Sequence, residues 1–229
     1  TNAGEAHFNT IIALTDRSKG ARGASAFIVE KSDPGVSFGK TEKKMGIRAS
    51  VTREIILEDC RIPKDRLVGR EGLGFLITMK TLDLARPGAG ALALGLAQSA
   101  LDEAAGFAKE RHQFGQAIFS FQAVQHMLAD MATKLEAARA LVYSVARFID
   151  SNPKDFTKVA AMSKLFPTDM AMQVTVDAVQ VMGGHGYMRE YPVEKMMRDA
   201  KILQIFEGTN QIMRNIIGLA LNKEYSRKK

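Results

Sequence analysis

The chain has 229 residues, of which 46% are hydrophobic and 25% charged, as in a soluble globular protein with one core or a core and a smaller satellite unit. The formal charge of +7 would suit an anionic partner, but the lysines and arginines are dispersed and no nucleic-acid-binding motif is present. We therefore expect no nucleic-acid partner, and we interpret the one basic cluster, Arg227 to Lys229, as a solvated terminus.

The single cysteine and the four histidines exclude further classes of protein. Cys60 alone cannot form an intrachain disulfide or a cysteine-rich zinc site, and it indicates a reducing compartment. The histidines show no metal-ligand spacing, so no metal site is expected. No apolar run reaches the roughly 20 residues that span a bilayer, which predicts no membrane segment. Because the chain opens on Thr1 without a signal-peptide pattern, we expect it to begin inside a larger protein.

From Phe8 to about Arg66 the sequence predicts strands and turns. FNTIIALTD and ASAFIVEK are short β-rich runs, and VTREIILED alternates apolar and polar residues imperfectly. Asp33-Pro34-Gly35 is a turn signal. These features predict a partial β unit over residues 1–66.

After Gly69 the composition changes to strong helix formers, which predicts a helical domain over residues 67–229. Apolar stripes predict helices at 71–85, 88–111, 155–182 and 210–222. Pro87 is expected to start the second of these, and Pro167 is expected to kink or break the third. Long helices with short connections favour an antiparallel bundle.

The segment from Ser120 to Asp150 has the clearest helical pattern. Its apolar residues recur at alternating steps of three and four, as in a heptad seam that partner helices must cover. The residues of this seam are Phe121, Val124, Leu128, Met131, Leu135, Ala138, Val142, Val145 and Ile149.

Near the C-terminal end, the stretch IFEGTN places a lone carboxylate, Glu207, beside a predicted helix start. Thr209 is a good N-cap, and a helix N-terminus attracts negative charge. Glu207 could accept hydrogen bonds from the first turn of its own helix. It could also be a general base in an apolar pocket beside Ile205 and Phe206. Spacing alone leaves both interpretations open.

A second glycine-rich stretch follows the helix predicted at 155–182. Gly183-Gly184-His185-Gly186 could bring the backbone close to a phosphate, although a glycine pair after an apolar helix is more typical of a C-cap.

Several long motifs, in order, resemble the acyl-CoA dehydrogenase family. They are TLDLARPGAGALALGLAQSALDEA, ERHQFGQAIFSFQAVQHMLADMA, DAVQVMGGHGY and EYPVEKMMRDAKILQIFEGTNQIMR. The resemblance covers essentially the whole chain. It implies the rear part of a middle, β-barrel-like domain followed by a C-terminal four-helix bundle, a mainly α fold.

The family resemblance implies an FAD-dependent oxidoreductase of fatty-acid β-oxidation. In the family the acid of the EGT motif removes the pro-R α-proton of an acyl-CoA thioester while a β-hydride passes to flavin N5, giving the trans-2-enoyl-CoA. That acid corresponds to Glu207. A subset of the family carries the base on an earlier helix, at the position of Ala85, which argues against the isovaleryl and long-chain types. The thioester oxygen would be bound by the backbone N–H of the base and a flavin hydroxyl.

Further site residues follow from the same resemblance. For substrate it implies Asp83 and Arg86 on the CoA side and Gly208 at the thioester, although Arg86 could instead form a surface ion pair worth little. The resemblance implies that the FAD contacts are Thr1, Arg111, Gln113, Gln122, Gln180, Gly183, Gly184, Thr209 and Gln211.

The resemblance also bears on partners and location. In the family Arg111, Gln122 and the QVMGG group reach a neighbouring subunit's cofactor, which implies a homo-oligomer, a dimer of dimers. Electrons would pass to an electron-transferring flavoprotein. The location would be the cytoplasm in a bacterium or the mitochondrial matrix in a eukaryote.

Some family features are absent from this stretch of sequence, and other functions stay open. The family's main flavin-binding loop precedes the strand that begins at Thr1, so the lone chain is expected to bind FAD weakly or not at all. One alternative is a non-catalytic helical fragment that supports oligomerisation. Another is an acyl-CoA oxidase or an enoyl-CoA reductase.

Overall fold

The computed structural model describes residues 1–226, and the chain divides into two compact units, Thr1–Leu82 and Asp83–Lys229. The first unit carries the main strands, and the second carries most of the helical residues. This confirms the predicted class, a mainly α chain with a helical bundle after a partial β region. The basic cluster that we interpreted as a solvated terminus, Arg227 to Lys229, lies outside the described residues.

An antiparallel hairpin forms the base of the first unit. β1 (Phe8–Leu14) and β2 (Ala24–Glu30) pair over their full lengths, as expected from their β-branched and aromatic residues. Of the two strands, β2 is the more buried, since Ala24, Ser25, Ala26 and Val29 are all shielded from solvent.

Shorter strands follow the hairpin. β3 (Val36–Phe38) pairs with β4 (Ile55–Leu57), and β5 (Leu67–Val68) pairs with β2. The predicted turn before β3 is confirmed, because a carboxylate oxygen of Asp33 accepts the Glu30 N–H at 2.8 Å. The run VTREIILED forms a strand only at its centre, which is β4.

The second unit is a bundle of long helices joined by short connections. A small hairpin of β6 (His112–Gln113) and β7 (Gln116–Ala117) separates the first two helices. The helices are α1 (Gly74–Glu110), which begins within the first unit, α2 (Gln122–Asp150), α3 (Thr157–Met182), α4 (Val193–Leu203) and α5 (Asn210–Ser226).

The heptad seam on α2 is confirmed in its central part, where Leu128, Met131, Leu135, Ala138, Val142 and Val145 are buried. All of these except Val145 belong to one hydrophobic cluster with a row of alanines on α1 and with residues of α3. The alanine side chains are small, so α1 can approach its neighbours closely. The alanines of this row are Ala93, Ala97, Ala100, Ala104 and Ala108.

The helix start predicted at Pro87 and the break predicted at Pro167 were both wrong. Pro87 lies inside α1, which continues from Gly74 to Glu110, and Pro167 lies inside α3, which is also unbroken. Each proline removes one intrahelical hydrogen bond, but both side chains are buried in the bundle, where packing supplies most of a helix's stability.

The apolar periodicity did not predict α4. This helix has only eleven residues, and it buries Val193, Ala200 and Leu203 together with the charged Asp199. The segment is strongly amphipathic, but eleven residues lie at the lower limit of length at which periodicity identifies a helix.

The described residues contain neither a membrane-spanning helix nor a cluster of metal ligands. No helix within residues 1–226 combines the length and apolar character that a bilayer span requires. The same residues contain no cluster of three or more His, Cys, Asp or Glu side chains placed to hold a metal ion.

Two glycines of α1 allow a test of the bundle's packing. A Cβ at Gly90 would lie 2.1 Å from the carbonyl oxygen of Ser163, whereas a Cβ at Gly95 would meet no atom within 4 Å. Pro167 lies four residues after Ser163 on α3 and has no N–H to donate to the carbonyl oxygen of Ser163. This oxygen is the atom that faces Gly90.

We expect Gly90→Ala to destabilise the fold by about 1–3 kcal/mol or more, because the added methyl group must push α1 and α3 apart. Gly95→Ala is the matched control, and we expect it to stabilise the same helix by about 0.5–1 kcal/mol. Urea unfolding of both variants measures the difference. Equal effects would contradict the close approach at Gly90.

Candidate active site

The loop between α4 and α5 holds Glu207 in an unusual backbone conformation. Glu207 has φ +55°, and the next residue, Gly208, has φ +89°. The left-handed region is strained for a residue with a side chain, at a cost of about 1–3 kcal/mol where the surroundings enforce it. Gly208 suits its position, since a Cβ there would also lie 2.7 Å from the Cε of the buried Met213.

The side chain of Glu207 is short of partners. Its Oε2 is buried and has no hydrogen-bond partner among residues 1–226. The start of α5 is capped by Thr209 instead, whose hydroxyl accepts the Ile212 N–H at 3.2 Å, as the sequence predicted. The interpretation of Glu207 as a helix-end acceptor therefore does not describe Oε2, and a buried polar atom left unpaired in a native fold calls for a functional explanation.

A fully buried lysine, Lys164 of α3, lies beside this loop. Its Nζ donates to the carbonyl oxygen of Gly208 at 2.8 Å and to Oδ1 of Asn210 at 2.7 Å. The pKa of Lys164 is lowered to about 8, chiefly by burial and in smaller part by the charge of Arg86, against the opposing effect of Asp169 and Glu207. At neutral pH the ammonium is therefore mostly charged, in a site that also holds Glu207.

Asp169, one turn further along α3, ties both ends of the loop to the same helix. Its Oδ1 accepts from Gln204, the residue after α4, and from Asn210, the first residue of α5, both at 2.7 Å. Burial alone would raise the pKa of Asp169, but these bonds and that from Arg214 hold it below its usual range. The carboxylate is therefore charged at neutral pH.

Arg86, predicted on the CoA side, is not a surface residue. Only 4% of it is exposed, and its guanidinium pairs with Asp83, whose other carboxylate oxygen accepts the hydroxyl of Thr157 at 2.8 Å. The interpretation of this pair as a weak surface ion pair is therefore wrong. Within the described residues, Nε of Arg86 is buried without a partner.

The structure separates the predicted cofactor residues into two groups in the bundle. Thr209 and Gln211 lie beside Glu207, at the level of Lys164 on α3. A further set lies at the other end, where rings of Phe107 and His185 approach to 5.3 Å. About 27 Å of α3 separates Lys164 from Met182 at 1.5 Å per residue, so the two groups cannot contact one point. The second set comprises Arg111, Gln113, Gln122, Gln180, Gly183 and Gly184.

The second set has the chemistry of a dinucleotide site. Its arginine and amide side chains are exposed, and the backbone of Gly183 and Gly184 carries no Cβ and opens onto free space. Arginine and amide donors suit a diphosphate, whereas the N–H of Gly183 already donates to the carbonyl oxygen of Val179 at 2.9 Å. Thr1, the remaining candidate, is exposed in the first unit.

Sequence reasoning missed Lys164 and Asp169. A signal was available for Lys164, because it falls on the apolar stripe of α3 that contains Ala160, Ala171 and Ala178, all buried. Lysine is almost never fully buried unless it is paired, so its position within that stripe indicates a polar partner.

Two family models match the chain. The acyl-CoA dehydrogenase C-terminal domain matches residues 72–221, and the acyl-CoA dehydrogenase middle domain matches residues 1–60. The chain belongs to the acyl-CoA dehydrogenase family. The predicted resemblance is confirmed at this level.

Individual acyl-CoA dehydrogenase relatives agree with this assignment. The probable acyl-CoA dehydrogenase FadE25 of Mycobacterium tuberculosis is 52% identical over 96% of the chain and 57% of the relative. Butyryl-CoA dehydrogenase from Megasphaera elsdenii, a solved structure, is 48% identical with a TM-score of 0.94, covering 96% of this chain and 57% of that one.

A third relative comes from a solved structure described as the electron transferring flavoprotein of Acidaminococcus fermentans, in a study of flavin-based electron bifurcation. Its matching chain is 54% identical, with a TM-score of 0.94, over 96% of this chain and 58% of that one. The 229-residue chain thus spans a little over half the length of each of these three relatives.

The lysine can be tested by its pH dependence. Because the folded-state pKa of about 8 lies below the ordinary 10.5, the unfolded chain binds more protons between those values. The cost of burying the charge is present in full below pH 8 and is relieved as pH rises through this window. We therefore expect wild type to gain stability relative to Lys164→Met as pH rises from 7.5 to 9.5.

Urea unfolding of both proteins at several pH values measures this difference. Thr168→Val, one turn away on α3 and equally buried, keeps Lys164 and should follow the wild-type pH dependence. A difference between wild type and Lys164→Met that does not change with pH would contradict a depressed lysine pKa.

Proposed function

We propose that the protein to which this chain belongs converts an acyl-CoA thioester to the trans-2-enoyl-CoA with FAD as cofactor, and that Glu207 removes the α-proton. The observation that carries this proposal is the buried Oε2 of Glu207, which has no partner in the described structure. An oxygen that accepts no hydrogen bond keeps its lone pairs available for a proton. Family membership of the chain supports the same chemistry.

The Glu207 loop offers a second group for this reaction. Within residues 1–226, the backbone N–H of Glu207 donates to no other residue. In the same loop, the N–H of Phe206 donates to the carbonyl oxygen of Ile202, and the N–H of Asn210 donates to that of Gln204. Negative charge develops on the thioester oxygen as the α-proton leaves. A fixed N–H donor at that oxygen would stabilise the transition state.

The other residues of this site would bind and orient the substrate. Arg86, held by Asp83, would supply positive charge on the CoA side, and Gly208 would leave room for the thioester. Thr209 caps α5, and with Gln211 it would hold FAD beside Glu207. When bound, FAD supplies the acceptor for the hydride equivalent that leaves the β-carbon.

Arg111, Gln113, Gln122, Gln180, Gly183 and Gly184 would serve a second cofactor. About 27 Å of α3 separates them from the Glu207 site, which supports a role toward the FAD of a neighbouring subunit and a dimer of dimers. In this proposal a middle domain spans residues 1–66, with Thr1 near the flavin, and a helical domain spans 67–229.

The substrate class and the electron partner are part of the proposal. The similarity to butyryl-CoA dehydrogenase supports a short- or medium-chain acyl-CoA. The similarity to a chain of the electron transferring flavoprotein structure supports an electron-transferring flavoprotein as acceptor. The caffeyl-CoA reductase-Etf complex subunit CarC of Acetobacterium woodii, 49% identical to this chain, favours a second candidate, a reductase that works from enoyl-CoA to acyl-CoA.

The base assignment is tested with Glu207→Gln in the FAD-loaded enzyme. We expect flavin binding and folding to persist, because the amide keeps the shape of the side chain and removes a buried charge. Anaerobic reduction of the flavin by butyryl-CoA, followed by absorbance, should slow by about 10²–10⁴-fold.

Glu136→Gln is the control for this experiment. Glu136 lies on α2 with an exposed side chain, and its replacement should leave the rate unchanged. Near-normal flavin reduction by Glu207→Gln would refute the base. A wild-type enzyme that binds FAD but is reduced by no acyl-CoA would instead support the non-catalytic alternative.

A further inference from the structure

The carboxylate Glu207 lies in a loop that α3 holds at three points. Gln204 before the loop and Asn210 after it both donate to Oδ1 of Asp169, and Lys164 donates to Gly208 within it. We call these four side chains, of Lys164, Asp169, Gln204 and Asn210, the loop clamp.

Within the loop clamp, Lys164 bonds the residue directly after Glu207. Its Nζ joins the Gly208 carbonyl and the Asn210 side chain, so it bridges the left-handed turn and the first residue of α5. Asn210 is held further by Thr168, whose hydroxyl accepts its Nδ2–H at 2.9 Å. Rotation of the Gly208–Thr209 peptide would break the Lys164 bond, which therefore fixes the left-handed turn that directs the carboxylate.

The acceptors of Lys164 do not themselves require a cation. A carbonyl and an amide oxygen are neutral and could be satisfied by a neutral donor, whereas a fully buried ammonium carries a large desolvation cost. The groups in the site that a cation stabilises are the carboxylates of Asp169 and Glu207, both of which interact with Lys164 through their charge.

We propose that Lys164 is a positioning residue for Glu207: its two bonds hold the Gly208 turn, and its positive charge attracts the Glu207 carboxylate. This inference rests on the proposed function for its kinetic part. Its structural part, the holding of the loop, stands independently of any activity.

Two substitutions separate the bonds from the charge. Lys164→Met has a similar length but removes both, while Lys164→Gln keeps an amide donor and removes the charge. Thr175→Val is the matched control, because Thr175 is equally buried on the same helix but its hydroxyl donates to the Ala171 carbonyl oxygen within α3, away from the loop.

The experiment uses the FAD-loaded holoenzyme with butyryl-CoA, together with amide hydrogen exchange over residues 205–211. For Lys164→Met we expect kcat to fall by about 10- to 100-fold with KM changed less than about threefold, and faster exchange in the loop. For Lys164→Gln we expect a similar loss of kcat with exchange closer to wild type. Thr175→Val should keep kcat within about twofold.

The outcomes distinguish this inference from the proposed function. A folded Lys164→Met enzyme with wild-type kcat and loop exchange would overturn it, as would an equal loss of kcat in Thr175→Val. If Lys164→Met does not fold, wild-type kcat in Lys164→Gln would overturn the role of the charge. If wild type itself is not reduced by acyl-CoA, the proposed function fails, and the exchange data still decide whether Lys164 holds the loop.

Discussion

The bond between the ammonium of Lys164 and the carbonyl of Gly208 is the contact on which the candidate site depends. It joins α3 to a short loop in which Glu207 and Gly208 both have left-handed backbone. That backbone turns Glu207 so that one carboxylate oxygen is buried without a partner in the described structure. The packing of the bundle must therefore place α3 where Lys164 and Asp169 reach the end of α4 and the start of α5.

The site is held against its own local preferences. Glu207 has a backbone conformation that favours glycine, its Oε2 and the Nε of Arg86 are buried and unpaired in the described structure, and Lys164 is a charge without exposure to solvent. Each of these features lowers the stability of the fold, and the packing of the surrounding bundle offsets that loss. Backbone strain and buried polar atoms without partners, gathered around one site, are typical of sites kept for chemistry.

The parts of the fold that follow from local pattern could be predicted from the sequence. The α2 seam, the two long strands and the Thr209 cap depend on residues close together in the chain, and the structure confirms them. The continuity of α1 through Pro87 could not be predicted, because it depends on packing that offsets a local penalty. The helix α4 is amphipathic but, with eleven residues, too short to be recognised by periodicity alone.

The site was predictable only in part, for a similar reason. Glu207 was a candidate from its apolar neighbours, but its positive φ and unpartnered oxygen come from tertiary contacts. Lys164 was missed because its partners, Gly208 and Asn210, lie more than forty residues away in sequence. The apolar stripe around Lys164 indicates that it has a polar partner, but no local pattern identifies which residues that partner comes from.

The most direct test of the proposed chemistry is whether Glu207 moves the α-proton. The FAD-loaded enzyme is incubated in D₂O with a saturated acyl-CoA, and deuterium entry at the α-carbon is followed by mass spectrometry. We predict exchange well above the buffer rate for wild type and exchange at the buffer rate for Glu207→Gln with its flavin bound. Exchange at the wild-type rate in that variant would contradict the assignment of Glu207 as the base.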